Sequence, residues 1–217
     1  MKISPPGTMG RATQHNACTG AKAMTEFPVL TTGRLLLREF LASDAPAVLD
    51  IFAHEEVTRY HNLDTLHSLE EARRLIEVRE GLWGKGTGIY WAITLLDQPE
   101  RVIGSCGCYQ LNRLFRSIEI GYDLHLDHWQ QGIMSEALAA MLDHCFGRRF
   151  TFRLNRVEAL TDLENRASIG LLKKLGFREE GIRRQAVYWK GEFHDVRSFS
   201  LLRRDWTRRS ASIVPEP

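Results

Sequence analysis

The chain reads as an α/β (α+β) domain layered around one mixed sheet, and three observations predict it. Short apolar runs rich in β-branched and aromatic residues alternate with amphipathic stretches that carry helix-capping signals. A glycine, Gly132, stands where a strand-like run (117–126) turns into a helix-like run ending near Phe146. Two further strand-like runs flank a turn at Lys190-Gly191. The predicted order is β-α-α-β-β-β-α-β-α-β-β.

Each element has its own justification. Residues 34–39 form a short apolar run and a strand. Ser43 is placed to cap a helix running to about Phe52, with Pro46 tolerated in its first turn. Ser68 and Glu71 have the spacing of a capping box and start a second helix to about Leu82. Residues 90–95 make a strand, Asp97-Gln98-Pro99-Glu100 a turn, and 102–109 the returning strand. The third strand of this group is 117–126. After the Gly132 helix come a strand over 156–161 and a helix over 165–175, with Gly176 suited to end it.

At 217 residues the chain suits one ordinary domain, and its 43% hydrophobic content is enough to build a core. Residues 1–26 are rich in Gly, Ala, Thr and Pro without periodicity and are expected to be a disordered extension. The folded domain is expected over 30–206, and 207–217 as a flexible tail. Formal net charge is +2, from 29 basic and 27 acidic residues, so bulk charge makes no case for nucleic acid. No run approaches the roughly 20 apolar residues of a membrane span. The N-terminus shows no apolar h-region, and a cytoplasmic protein is expected. Cys18, Cys106, Cys108 and Cys145 lack metal spacing and read as thiols of a reducing compartment.

The chemistry concentrates in His128-Trp129-Gln130-Gln131-Gly132-Ile133-Met134-Ser135-Glu136. A glycine at a strand-to-helix turn lets backbone N–H groups converge on an anion, and the helix N-terminus adds positive partial charge. The N–H groups of Gln130, Gln131, Gly132, Ile133, Met134 and Ser135 therefore read as a pyrophosphate seat. Just before it, Ile118-Glu119-Ile120-Gly121-Tyr122 sets an acid inside an apolar strand. Such a carboxylate is costly unless paired, hydrated or used. Partial burial would raise its pKa toward that of a general base, while pairing with an arginine such as Arg156 is the plain structural alternative. Downstream, Asn165-Arg166-Ala167-Ser168 opens a helix. Asn165 reads as its N-cap, and Ser168 lies on the same face one turn on.

These three segments, in this order, resemble the GNAT acetyltransferases, and most of all the branch that acetylates ribosomal-protein N-termini. The resemblance covers about Leu30 to Trp206. It implies a mixed, mostly antiparallel sheet flanked by helices, acetyl-CoA as cosubstrate, an amine as acceptor, and no metal. By resemblance, Glu119 is the general base. The backbone of Tyr122, Asp123 and Leu124 bonds the pantetheine arm and steadies the oxyanion. Asn165 bonds the same arm, and Ser168 gives a proton to the leaving thiolate.

Departures from the family pattern are informative. The pattern Gln/Arg-x-x-Gly-x-Gly/Ala has Trp129 in its first place and Met134 in its last, and the ribosomal branch tolerates that Met. The helix tyrosine that serves as acid in many relatives is replaced by Leu172. A hairpin glutamate of the serine-acetylating relatives is replaced by Val187, which shifts the base toward Glu119. Glu158 is a second-choice acid, expected in an ion pair. The acceptor cleft is expected between 54–66 and 185–195, with Tyr60, His61 and Tyr188 as substrate contacts.

Other enzyme classes find no support. There is no Gly-x-Ser-x-Gly elbow. Gly84-x-Gly86-x-Gly88 lacks the helix of a dinucleotide loop. No His-Glu-x-x-His or paired-Cys setting for zinc occurs. The expected activity is acetyl transfer from acetyl-CoA to a primary amine, first a protein or peptide N-terminus. A small-molecule amine and a non-catalytic acyl-CoA-binding module are the alternatives, in a monomer or homodimer.

Overall fold

The structure, a computed structural model, describes residues 26–147, 150 and 153–211, with side chains described as far as Thr207. Almost all of the extension expected over 1–26, Cys18 with it, and the last part of the expected tail lie outside the described residues. The strands are β1 (Leu30–Thr31), β2 (Leu35–Arg38), β3 (Ile89–Leu95), β4 (Gln98–Asn112), β5 (Ser117–Leu124), β6 (Arg156–Asp162), β7 (Arg178–Trp189) and β8 (Glu192–Leu202). They form one eight-stranded sheet in the order β1-β2-β3-β4-β5-β6-β8-β7. Every neighbouring pair is antiparallel except β5 and β6. The helices are α1 (Ala45–Phe52), α2 (Glu55–Thr58), α3 (Leu69–Gly84), α4 (Ile133–Phe146), α5 (Arg166–Lys174) and α6 (Arg203–Ala211). None of the described helices is long and apolar enough to cross a membrane.

The mixed sheet and its main elements follow the sequence pattern, and the differences have local causes. Asp44, not Ser43, organises the start of α1. Its buried carboxylate accepts the Leu41 N–H at 2.7 Å and both arms of the Arg38 guanidinium at 2.8 and 2.9 Å. A carboxylate there satisfies more donors than a hydroxyl can. The Ser68–Glu71 box is formed as expected: Ser68 Oγ accepts the Glu71 N–H, and Glu71 Oε2 accepts the N–H groups of Ser68 and His67. The β3–β4 turn is confined to Leu96 and Asp97, and β4 resumes at Gln98. Three unexpected elements, β1, α2 and α6, are two residues, four residues and a polar segment, respectively. Elements of that kind carry no readable apolar period. Helix α6 also occupies the first part of the stretch expected as a tail. The hairpin turn at Lys190 and Gly191 has φ values of 48° and 84°, which matches the twist of the flanking strands.

The sheet buries a core on each face. On one side, Ile118, Ile120 and Leu124 of β5 pack with Leu138, Met141 and Leu142 of α4. On the other, Val48, Ile51 and Phe52 of α1 meet Ala72 and Ile76 of α3 over Ala92 and Val102. Alternation along β5 sends Glu119, Gly121 and Asp123 to the second face. There Asp123 is buried and receives Arg79 of α3 at 2.7 Å and the Ser105 hydroxyl at 2.7 Å. The Arg79 guanidinium is ringed by Phe40, Phe52 and Tyr90 at 5.4, 5.2 and 5.0 Å.

This pair ties α3 to the strand that carries the expected base. Arg79→Met, which leaves the Asp123 charge buried without its partner, is expected to lower unfolding stability by about 3–5 kcal/mol. The double change Arg79→Met with Asp123→Leu should recover much of that loss. Urea unfolding of the three proteins checks both outcomes.

Candidate active site

The site grows from the incomplete pairing of β5 with β6. The two strands run parallel but match only at Ser117–Arg156, Ile118–Val157 and Glu119–Glu158. Beyond Glu119 they part. The His125 N–H bonds Ile103 O on the β4 side, while Arg116 O accepts the Asn155 and Arg156 N–H groups on the β6 side. Polar groups of a strand alternate between its two sides. The C=O of Ile120 and the N–H and C=O groups of Tyr122 and Leu124 therefore face the β6 side beyond the last ladder pair, where no β6 partner meets them among the described residues. Leu124 O is taken by the Trp129 indole N–H at 2.8 Å. The backbone groups of Tyr122 and Leu124, expected to meet a pantetheine arm, lie on this open edge. Asp123 does not: its backbone turns to Ser105 of β4 and its carboxylate to Arg79.

Across the parting lies the α4 N-terminus. Gly132 holds φ 75°, a left-handed conformation, and Gln130 holds φ 60° just before it. An L side chain at Gly132 is strained by that φ alone. The first intrahelical bond of α4 runs from the Glu136 N–H to Gly132 O. The N–H groups of Ile133, Met134 and Ser135 consequently project without intrahelical acceptors. Arg34 adds positive charge beside the turn, donating to Gln131 O at 3.1 Å while paired with Glu136 at 2.8 Å. An extended arm along β5 and an anion at this turn both fit these donors, as coenzyme A requires.

The N-terminus of α5 closes the third side. Asn165 is its N-cap, with Oδ1 accepting the Ser168 N–H at 3.1 Å. Ser168 lies beside the Tyr122 phenol, whose pKa burial pushes up to about 12 while the serine hydroxyl pulls it down. The Tyr122 oxygen is buried and makes no hydrogen bond of ordinary geometry. Leu172, in the place of the family tyrosine, is fully buried.

Glu119 is half-buried on the opposite face of β5. Its Oε1 accepts the Tyr109 hydroxyl at 2.8 Å. Burial raises its pKa, which the Tyr109 bond and Arg183 oppose and the neighbouring Glu158 reinforces. Arg156 is no partner of Glu119. It pairs instead with Glu158, at 3.0 Å, and with Glu180. Glu158 is thus an ion-pair residue, as expected. Beside Glu119 stands Gly121, where an added Cβ would come within 2.5 Å of the Tyr90 oxygen and 3.2 Å of the Tyr109 ring, so a side chain there would displace Tyr90. Gly121 borders a cavity of about 440 Å³ together with His61, Asn62, Tyr90 and Tyr109. Burial lowers the His61 pKa, and Asp123 opposes that. His61 Nδ1 and Asp123 Oδ1 are both buried without a hydrogen-bond partner.

A second cavity, of about 530 Å³, lies farther out between Glu55, Thr58, Arg59 and Lys190. It sits between the two segments expected to form the acceptor cleft, and Lys190 Nζ bridges them by donating to Thr58 O at 2.7 Å. Of the three expected substrate contacts, His61 lines one of these two cavities, and Tyr60 and Tyr188 line neither. Tyr60 lies under the Arg59 guanidinium, and Tyr188, 63% exposed, packs edge to face on Phe193. Sequence reasoning missed Tyr90, Tyr109 and Arg79. Tyr109 stands directly opposite Glu119 only because of a register shift between Tyr109 and Asn112; counting from the β4–β5 turn would have put Gln110 there.

Comparison with known proteins agrees with this geometry. A family model described as the acetyltransferase (GNAT) domain matches residues 34–178. The uncharacterized N-acetyltransferase YoaA of Bacillus subtilis is 36% identical over 177 residues, covering 82% of this chain and 98% of YoaA. A ribosomal-protein alanine N-acetyltransferase of Escherichia coli is 27% identical over 188 residues, covering 82% and 92%. Among solved structures, RimL, a ribosomal alpha-N-protein acetyltransferase in complex with coenzyme A, superposes with a TM-score of 0.69 at 24% identity, covering 81% of this chain and 98% of that one. The parted strand, the glycine turn before α4 and the matched sequence lead to one conclusion: the chain belongs to the GNAT family of acetyltransferases.

Proposed function

We propose that this acetyl-CoA-dependent N-acetyltransferase acetylates the N-terminal amine of a protein or peptide, with Glu119 as general base. The observation that carries the reading is the place of Glu119. It is a half-buried acid with a raised pKa at the point where β5 leaves β6, beside the cavity at Gly121. The two cavities share the segment around Glu55 to Asn62, which supports an acceptor that enters as an extended chain. The ribosomal-protein acetyltransferases among the relatives support the same acceptor class.

Acetyl-CoA supplies the thioester whose acyl carbon receives the amine and whose thiolate leaves. Glu119 takes the proton of the arriving ammonium, directly or through water. The Tyr109 hydroxyl orients its carboxylate. The backbone N–H groups of Tyr122 and Leu124 line the open edge, where one can donate to the thioester oxygen. The N–H groups of Gln130, Gln131, Gly132, Ile133, Met134 and Ser135 hold the pyrophosphate. Asn165 fixes the start of α5, and its amide is available to the pantetheine arm. Ser168, with the Tyr122 phenol beside it, is the proton source for the thiolate. His61 borders the acceptor cavity and orients the incoming group. Holding both reactants along one strand supplies much of the rate.

A thiol-release assay with peptides of free and blocked N-termini, run beside small amines, tests the acceptor. Release with free N-termini alone is expected, and turnover of small amines alone would overturn the acceptor class. Glu119→Gln is expected to lower kcat by about 100- to 10,000-fold while acetyl-CoA binding, read by calorimetry, stays unchanged.

The pH profile follows from the same carboxylate. Only ionised Glu119 accepts a proton, so kcat/KM rises with pH through its titration. Tyr109→Phe removes a hydrogen bond that favours the ionised form, so the acidic limb should move to higher pH. Gly132→Val forces a branched residue into φ 75°. It should weaken acetyl-CoA binding about tenfold or more, without changing the position of that limb.

A further inference from the structure

On the face of the sheet opposite α4, three side chains from two distant segments converge. Asp50 in α1 and His54 just after it are four residues apart, and His125 follows β5 directly. One ligand-type atom from each of the three lies within 4.8 Å of the others. His125 Nε2 stands 3.6 Å from Asp50 Oδ2, and the rings of His54 and His125 meet edge to face at 5.2 Å. Donors bonded to one tetrahedral zinc ion at about 2.0–2.2 Å stand about 3.4 Å apart, so small side-chain movements suffice to close this set.

His125 is the buried member of the group, and it has a carboxylate on each side. Its Nδ1 accepts the Asp127 N–H at 3.2 Å, an arrangement that puts the ring proton of the neutral imidazole on Nε2, toward Asp50. Asp127 Oδ2 lies 3.6 Å from the same Nδ1. If a cation takes the Nε2 lone pair, the ring proton moves to Nδ1, where the Asp127 carboxylate can accept it. Metal-bound imidazoles are held in their tautomer by such a carboxylate.

We propose that Asp50, His54 and His125 bind a zinc-class divalent cation through two imidazole nitrogens and one carboxylate oxygen. Asp127 acts as a positioning residue behind His125. The donor set suits zinc, cobalt or nickel, whereas magnesium and calcium require oxygen ligands. Asp50 and Asp127 offset the two positive charges, and a fourth position remains for water. Bound there, the cation ties the end of α1 to the residue next to Leu124, between the open edge of β5 and the turn into Gly132. The site lies apart from Glu119, and the proposal stands whatever the acetyl acceptor is.

The test uses the full chain, stripped with a chelator and titrated with zinc, cobalt(II) and magnesium. One equivalent of zinc should bind, cobalt(II) should give the visible absorption of a tetrahedral site, and magnesium should do neither. His54→Gln and Asp50→Asn change groups at the rim, and circular dichroism checks that each variant folds. Each should weaken zinc binding on the order of 100-fold, and Asp127→Asn by about 10- to 100-fold. Failure to bind one equivalent of zinc would overturn the proposal. So would zinc affinity left unchanged in both His54→Gln and Asp50→Asn, which would assign the metal to other groups.

Discussion

Strand β5 pairs fully with β4 on one side but only for three residues with β6 on the other, and the candidate site depends on that imbalance. A buried backbone group without a partner costs free energy, so an open strand edge inside a domain needs a ligand or solvent to satisfy it. Here the edge opens opposite the N-terminus of α4, which carries unsatisfied donors of its own, and beside that of α5, where Asn165 already caps the Ser168 N–H. Two sets of backbone donors thus face one space. Side-chain identity matters less there than the path of the chain, so the Gly132 turn and its projecting N–H groups form with Trp129 and Met134 in place.

The other face of β5 is organised by charge. Asp123 is locked to Arg79 and Ser105, and earlier on the same face of the strand Glu119 is held by Tyr109. Gly121 between them leaves room for the cavity. The two carboxylates meet different fates because their partners differ. A guanidinium at 2.7 Å keeps Asp123 as one half of an ion pair, whereas a phenol leaves Glu119 able to exchange a proton. In the proposed function, one short strand therefore serves the cosubstrate with its backbone edge and the acceptor with alternate side chains.

The end of β5 joins these roles to the rest of the fold. Trp129 folds back onto Leu124 O, His125 reaches toward α1, and the chain then enters the Gly132 turn. The segment from Asp50 to His61 thus reaches both the end of β5 and the cavity at Gly121. Lys190 makes a comparable link from the β7–β8 hairpin to Thr58.

By itself the sequence determined the mixed sheet, the capping box at Ser68, the glycine turn before α4 and an acid inside an apolar strand. Each of these is written in local periodicity or in the stereochemistry of one residue type. Whether Glu119 has an arginine partner, whether Asp123 faces the open edge or the interior, and which aromatic groups border the cavity at Gly121 were decided only by tertiary structure. Those outcomes depend on strand register and on which helix covers which face. Tyr109 meets Glu119, and Arg79 meets Asp123, across 10 and 44 residues of chain. The parting of β5 from β6 belongs to the same class. It arises from how two helices and a turn pack between the strands, and no single residue encodes it.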